Sequence, residues 1–155
     1  MAHFSLGLLV CLALGQLTAS AQAGSCRNGW LSHNGRCYGY FAQELSWSRA
    51  EAFCQHYHGH LASILDPGEH RAVANFLKKV QEWEDEEEDV WLGLSFSPHS
   101  WAWAWADGSP LGYTAWEEAD RHDWDDNCAA LDDSHGFMLW DNESCSDKNP
   151  FLCKV

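Results

Sequence analysis

Residues 82–94 read EWEDEEEDVWLGL, and the two halves of that stretch demand opposite surroundings. Seven carboxylates fill the eight residues from Glu82 to Asp89, and Val90-Trp91-Leu92-Gly93-Leu94 is apolar throughout. A short apolar run of this kind reads as a buried strand, here Val90–Phe96. Like charges at helical spacing repel, so Glu82–Asp89 reads as a solvated loop feeding that strand, not as the tail of a helix.

Upstream of the loop, Asp66-Pro67-Gly68-Glu69 supplies a helix cap, a first-turn proline and a capping-box acid. The helix it opens places Val73, Phe76, Leu77 and Val80 on one face, with Lys78 and Lys79 in its last turn, where the dipole favours cations. An earlier helix is predicted from Ser46 as its cap, with Trp47, Ala50, Cys54 and Tyr57 at helical spacing and Gly59 ending it. Before it, the stretch from Cys26 through Phe41 reads as two short strands joined by a turn at Asn34-Gly35. Downstream, Trp101, Trp103 and Trp105 alternate with alanines, the period of a strand with one bulky face, and Asp107-Gly108 turns it. Trp116–Asn127 is a long acidic loop. Cys128–Asp132, Gly136–Trp140 and Phe151–Lys154 complete the predicted strands. With no internal repeat and no linker, this is one α+β domain.

The first residues lie outside that domain. FSLGLLVCLALGQLTASAQA is an apolar run ending in Ala21-Gln22-Ala23, which predicts a signal peptide over 1–23 and a mature, secreted domain over 24–155. No later apolar run approaches the roughly 20 residues of a membrane span. The net charge of −14 therefore falls on the mature chain. It argues against nucleic acid and anionic membranes as partners and favours cations, basic proteins or a cation-rich solid. Ten Trp and seven Phe argue against disorder. Once Cys11 leaves with the signal, Cys26, Cys37, Cys54, Cys128, Cys145 and Cys153 imply three disulfides, in any of about 15 pairings.

The ordered set Cys26…Gly29-Trp30, Cys37-Tyr38, Trp47…Ala50-Glu51…Cys54, His60-Leu61-Ala62-Ser63-Ile64, Trp91-Leu92-Gly93-Leu94, Trp103–Ser109, Cys128-Ala129, Trp140, Cys145 and Phe151-Leu152-Cys153 resembles the C-type lectin-like domain. The likeness covers Cys26–Lys154. It implies two helices with antiparallel strands, a long acidic loop, and the pairs Cys26–Cys37, Cys54–Cys153 and Cys128–Cys145. Within the family, Cys37–Phe41, Glu69–Ala72, Glu86–Trp91, Leu139–Asn142 and Ser144-Cys145 are similar to eggshell-matrix proteins of the ovocleidin, ansocalcin and struthiocalcin type. That likeness implies association with calcium carbonate. Regenerating-type lectins are the next nearest.

Sugar-binding members of this family hold calcium with a Glu-Pro-Asn or Gln-Pro-Asp triplet and a Trp-Asn-Asp strand. Here Trp116–Cys128 has no proline, and the strand reads Trp140-Asp141-Asn142. Calcium needs several oxygen ligands in a shaped cage. The sequence therefore predicts no defined metal site at the degenerate positions Asp141 and Asn142, no required cofactor, and only weak, distributed calcium binding. Asn142-Glu143-Ser144 is a glycosylation sequon at Asn142. His56, His58 and His60 span a helix end and a turn, so their rings diverge and a solvated helix terminus is the better reading than zinc. No H-E-x-x-H, G-x-S-x-G or phosphate loop is present, which points away from catalysis.

A solvated acidic loop is the ordinary reading of Glu82–Asp89. Two features point further: the same sign recurs in the second loop, and the resemblance places the run in mineral-associated proteins. Carboxylates about 7 Å apart on alternate residues of an extended chain can each meet a different surface calcium without a closed cage. The expected mineral-binding residues are Glu82, Glu84, Asp85, Glu86, Glu87, Glu88, Asp89, Glu117, Glu118, Asp120, Asp123, Asp125 and Asp126. The expected partner is a calcium carbonate surface in an extracellular matrix. The alternative is a carbohydrate- or peptidoglycan-binding lectin of the regenerating type, and a protein-binding module is a third class.

Overall fold

Asn34 and Gly35 both take left-handed backbone angles (φ 47° and 77°), closing the turn between β1 (Leu31–His33) and β2 (Arg36–Leu45). This is the primed turn that Asn-Gly favours. Helix α1 (Trp47–His56), strand β3 (His60–Leu61) and helix α2 (Pro67–Gln81) follow. Strands β4 (Val90–Ser97) and β5 (Ala102–Trp105) form a hairpin. Then come β6 (Cys128–Leu131), a 3-10 turn (Asp133–His135), β7 (Trp140–Glu143) and β8 (Asn149–Lys154). The computed structural model describes residues 25–84, 86–117 and 125–155. The expected signal segment 1–23 and the site residues Asp85, Glu118, Asp120 and Asp123 lie outside the described residues.

The sheet runs β1-β2-β8-β4-β6-β7, with β3 added to β8 and β5 to β4. Only β4 and β8 pair in parallel among the described strands. Its central place explains the apolar run that begins at Val90. Val90, Leu92 and Leu94 pack with Val73, Ala74 and Leu77 of α2. Trp91 faces the other way, toward Ala50 and Cys54 of α1. A strand covered on both faces has no solvent side to mark with polar residues. Gly93 is required by a close approach, since a Cβ there would lie 2.3 Å from the Leu61 carbonyl oxygen. The indole N–H of Trp91 donates to Leu45 O at 2.8 Å, and that of Trp47 to Leu92 O at 2.8 Å, tying α1 and the end of β2 to β4.

The disulfides are Cys26–Cys37, Cys54–Cys153 and Cys128–Cys145, the same pairs that the family resemblance implies. The second joins α1 to β8 across 99 residues of sequence.

Four local expectations are corrected. Ser46 is the N-cap of α1, but its side chain makes no capping bond. The left-handed residue after α1 is His58 (φ 63°), not Gly59. Gly59 is small for another reason: a Cβ there would meet Lys154 O at 2.4 Å. The strand expected at Gly136–Trp140 starts at Trp140 instead, because Gly136 and Phe137 both have positive φ (61° and 62°) and cannot continue an extended chain. Trp101 also has a left-handed φ (54°) and precedes β5, so only Trp103 and Trp105 share the strand's inner face.

Asp66 caps α2 as expected, its carboxylate accepting from Glu69 N at 2.8 Å. Glu69 does more than complete a capping box. It is buried, accepts from Leu65 N at 2.6 Å and from the Tyr38 hydroxyl, and pairs with buried Lys154 at 2.8 Å. Lys154 Nζ also donates to Ser63 O and Ser63 Oγ, at 3.2 and 3.0 Å. Ser63 in turn donates to Asp107 in the turn after β5. This network ties α2, β2, β8 and the β5 turn together.

Candidate functional site

The acidic run is a closed loop. Buried Gln81, the last residue of α2, donates its amide N–H to Glu88 O at 2.9 Å and accepts from Glu88 N at 3.0 Å. Glu84 N bonds back to Gln81 O at 3.0 Å, and the Tyr40 hydroxyl of β2 donates to the Glu84 carboxylate at 3.2 Å. One side chain thus pins the two ends of the run together. Glu82, Glu86 and Glu87 are exposed, Glu84 and Glu88 are half-buried, and Trp83 stands 89% exposed among them.

The last two acids of the run turn inward. A hydrogen bond with Glu44, and then partial burial, push the Glu88 carboxyl up to about 7. Asp89 is half-buried and accepts from Asp133 N at 2.9 Å. Burial, followed by contact with Asp133 and Glu143, pushes its carboxyl up to about 9. Of the run's seven carboxylates, these two and the Tyr40-bonded Glu84 are engaged with the protein itself.

Asp89 meets a second acidic group built by strand register. Val90 pairs with Leu131, Leu131 with Trp140, and Ala130 with Asp141, which sets the end of the run beside the β6–β7 turn. Oxygen atoms of Asp89, Asp132 and Asp133 lie within 4.8 Å of one another, and so do those of Asp89, Asp141 and Glu143. Buried Asp132 accepts from Ser134 N at 2.8 Å, Ser134 Oγ at 2.6 Å and His135 Nδ1 at 2.9 Å. Burial alone would raise its carboxyl, but these bonds outweigh burial and hold it below the usual range. His135 is correspondingly raised, chiefly by its bond to Asp132. Glu117, at the start of the second loop, lies 3.6 Å from His135 and is raised by its bond to Asp132.

The fold thus joins the end of Glu82–Asp89 to Glu117, while Asp125 is exposed and Asp126 half-buried at the far end of the second loop. The sequence pattern alone does not single out Glu44, His135 or Glu143, and in it Asp132-Asp133 is simply two more acids. The Asp-Asp-Ser-His run directly after an apolar strand was the available signal for the 3-10 turn.

At the degenerate lectin positions, Asp141 sits in the group with Asp89 and Glu143, and Asn142 directs its amide Nδ2 at Asp126 O, 3.5 Å away. An amide presenting nitrogen supplies no oxygen to a hard cation in that direction. His60 Nδ1 lies 2.7 Å from Glu51, and His58 sits on a left-handed turn. The three alternating histidines do not form a metal-ligand group among the described residues. Trp140 and Trp105 are core residues, whereas Trp101 is 59% exposed and packs edge-on against Phe96.

Residues 43–155 match the family model described as the Lectin C-type domain. The chain is 47% identical over 135 residues to rheacalcin-1 of Rhea americana, covering 86% of this chain and 97% of that one. The crystal structure of ovocleidin-17, a major protein of the Gallus gallus eggshell calcified layer, matches with a TM-score of 0.75 at 34% identity. That match covers 84% of this chain and 98% of the other. Human lithostathine matches with a TM-score of 0.79 at 29% identity, over 87% and 93% of the two chains. With its sheet order, disulfide frame and family match in agreement, the chain belongs to the C-type lectin domain family.

Proposed function

We propose that this chain is a secreted, non-catalytic C-type lectin-like protein of a mineralised, eggshell-type matrix that binds calcium carbonate and modulates crystal growth. The observation that carries the reading is the Gln81–Glu88 clamp, which holds Glu82, Glu86 and Glu87 outward on a pinned loop. Preorganised charges lose little freedom on meeting a lattice of cations. Asp85, Glu118, Asp120, Asp123 and Asp125 add negative charge to the two acidic stretches of the sequence, and Glu84, Glu117 and Asp126 contribute from partly engaged positions. Asp89 and Glu88 serve the protein side of the loop. The similarity to ovocleidin-17, from a calcified layer, supports the same assignment. Calcium ions in solution bind weakly and at several places, without a required cofactor. Asn142 lies on edge strand β7, where a glycan attached to Nδ2 can leave the sheet, and it is the glycosylation site in this reading.

The test separates mineral from sugar. Adsorption of the secreted protein to calcite should be unaffected by free mono- and oligosaccharides. It should weaken as salt rises, because the exposed charges are screened over about 8 Å at physiological ionic strength. Elution by sugar, together with a single tight calcium site lost on Asn142→Ala, would establish the lectin alternative.

A further inference from the structure

Asp89 and Glu143, both half-buried, bring two carboxyl groups together. Oxygen atoms of the two, with one from Asp141, lie within 4.8 Å of one another. One Asp89 oxygen accepts from Asp133 N, and Glu143 Oε1 accepts from the Asn149 amide at 3.3 Å. Glu143 Oε2 is buried and receives no hydrogen bond from any described donor. No Lys or Arg among the described residues forms an ion pair with Asp89 or Glu143. The groups around the pair are acidic: Asp132 and Asp133 after β6, and Asp141 on β7 with Asp147 beyond it, while Glu88, the preceding residue of the run, is bonded to Glu44 on β2. The nearby imidazole of His135 is committed to Asp132 and Glu117.

Two adjoining carboxylates without a cation cannot both stay ionised. A calcium ion would need about six to eight oxygens, and two of the oxygens here already accept protein N–H groups. A proton needs only one donor and one acceptor, and Glu143 Oε2 is an acceptor without a donor. We propose that Asp89 holds a proton at neutral pH and donates it to Glu143, forming a latch that fastens the root of the acidic loop to edge strand β7. The raised carboxyl at Asp89, caused first by burial, has the direction this requires, and Glu143 is raised by burial as well. The latch works as a pH-sensitive device. An acid whose folded value exceeds its unfolded one contributes stability that is complete below the unfolded value, near 4. That contribution is lost as pH rises toward about 9, the folded value of Asp89. Alkalinity therefore loosens the loop root by setting two carboxylates against each other.

Asp89→Asn tests this, because its amide oxygen can still accept from Asp133 N while its NH2 donates permanently to Glu143. The melting temperatures of wild type and variant should be close at pH 4. By pH 9 the variant should lead by roughly 4 °C or more, the shift that about a tenfold change in stability produces in a domain of this size. Carbon-detected NMR of the side-chain carboxyls should show one member of the pair titrating above pH 7 in the wild type. Parallel melting curves across pH, with both carboxyls titrating below about pH 5, would overturn the latch. So would a calcium-dependent rise in melting temperature that is present in the wild type and abolished by Asp89→Asn, which would put a cation where the proton is placed. None of these readouts involves mineral, so the latch and the mineral reading stand or fall separately.

Discussion

Replacing Cys54 and Cys153 together by Ala should lower stability by about 4–5 kcal/mol, the largest single loss expected in this protein. The bond closes 99 residues of sequence, and a cross-link of that span removes more unfolded-chain entropy than a short one. Both cysteines are fully buried in the cluster that holds Ala50, Leu61, Trp91 and Phe151, so their loss also thins the packing between α1 and β8. Thermal denaturation should show the midpoint falling by about 15 °C. Removing Cys26–Cys37, which spans 11 residues at the edge of the sheet, should cost clearly less. Equal losses for the two bonds would mean that loop closure is not what the long disulfide contributes.

Lys154→Met should cost about 3–5 kcal/mol, because it strands the Glu69 carboxylate in the core. Lys154 and Glu69 are 4% and 6% exposed, and no second cation reaches Glu69 among the described residues. Two hydrogen bonds to Glu69 remain, from Leu65 N and Tyr38, which cannot neutralise a buried charge. Adding Glu69→Gln removes that charge while leaving an amide oxygen to accept from Leu65 N, so the double variant should recover much of the loss. Urea denaturation of the single and double variants gives the coupling directly. A loss below about 1 kcal/mol for Lys154→Met would place the pair among ordinary surface ion pairs.

The contrast between these two features shows what the sequence makes legible. Elements set by short-range chemistry are readable: the Asn34-Gly35 turn, the Asp66-Pro67 helix start, and the β4 run whose apolar residues on both faces mark a central strand. Positions set by distant partners are not. Glu69 fits a capping box in sequence, but its partners Tyr38 and Lys154 come from the two ends of the domain. Gly136 and Phe137 displace a strand start through backbone angles that a Phe rarely adopts. The acidic run was readable as a loop from self-repulsion alone. Which of its carboxylates face water was not, because Gln81, Tyr40 and the β4–β6–β7 register decide it. Asp89 is the clearest case. Its neighbours Asp133 and Glu143 are more than 40 positions away in the sequence, so the charge pattern could not separate it from Glu87.

Adsorption isotherms on calcite test most directly whether the outward carboxylates of the pinned loop meet mineral. The comparison is wild type against a variant carrying Glu82→Gln, Glu86→Gln and Glu87→Gln, at low ionic strength. These three side chains are exposed, so the substitutions keep size and polarity and should leave thermal stability equal or slightly higher as self-repulsion is relieved. With the fold intact, the variant should adsorb severalfold less and alter crystal growth correspondingly less, some binding persisting through the second acidic loop. A variant that adsorbs to calcite and modifies its growth as well as wild type does would contradict the account.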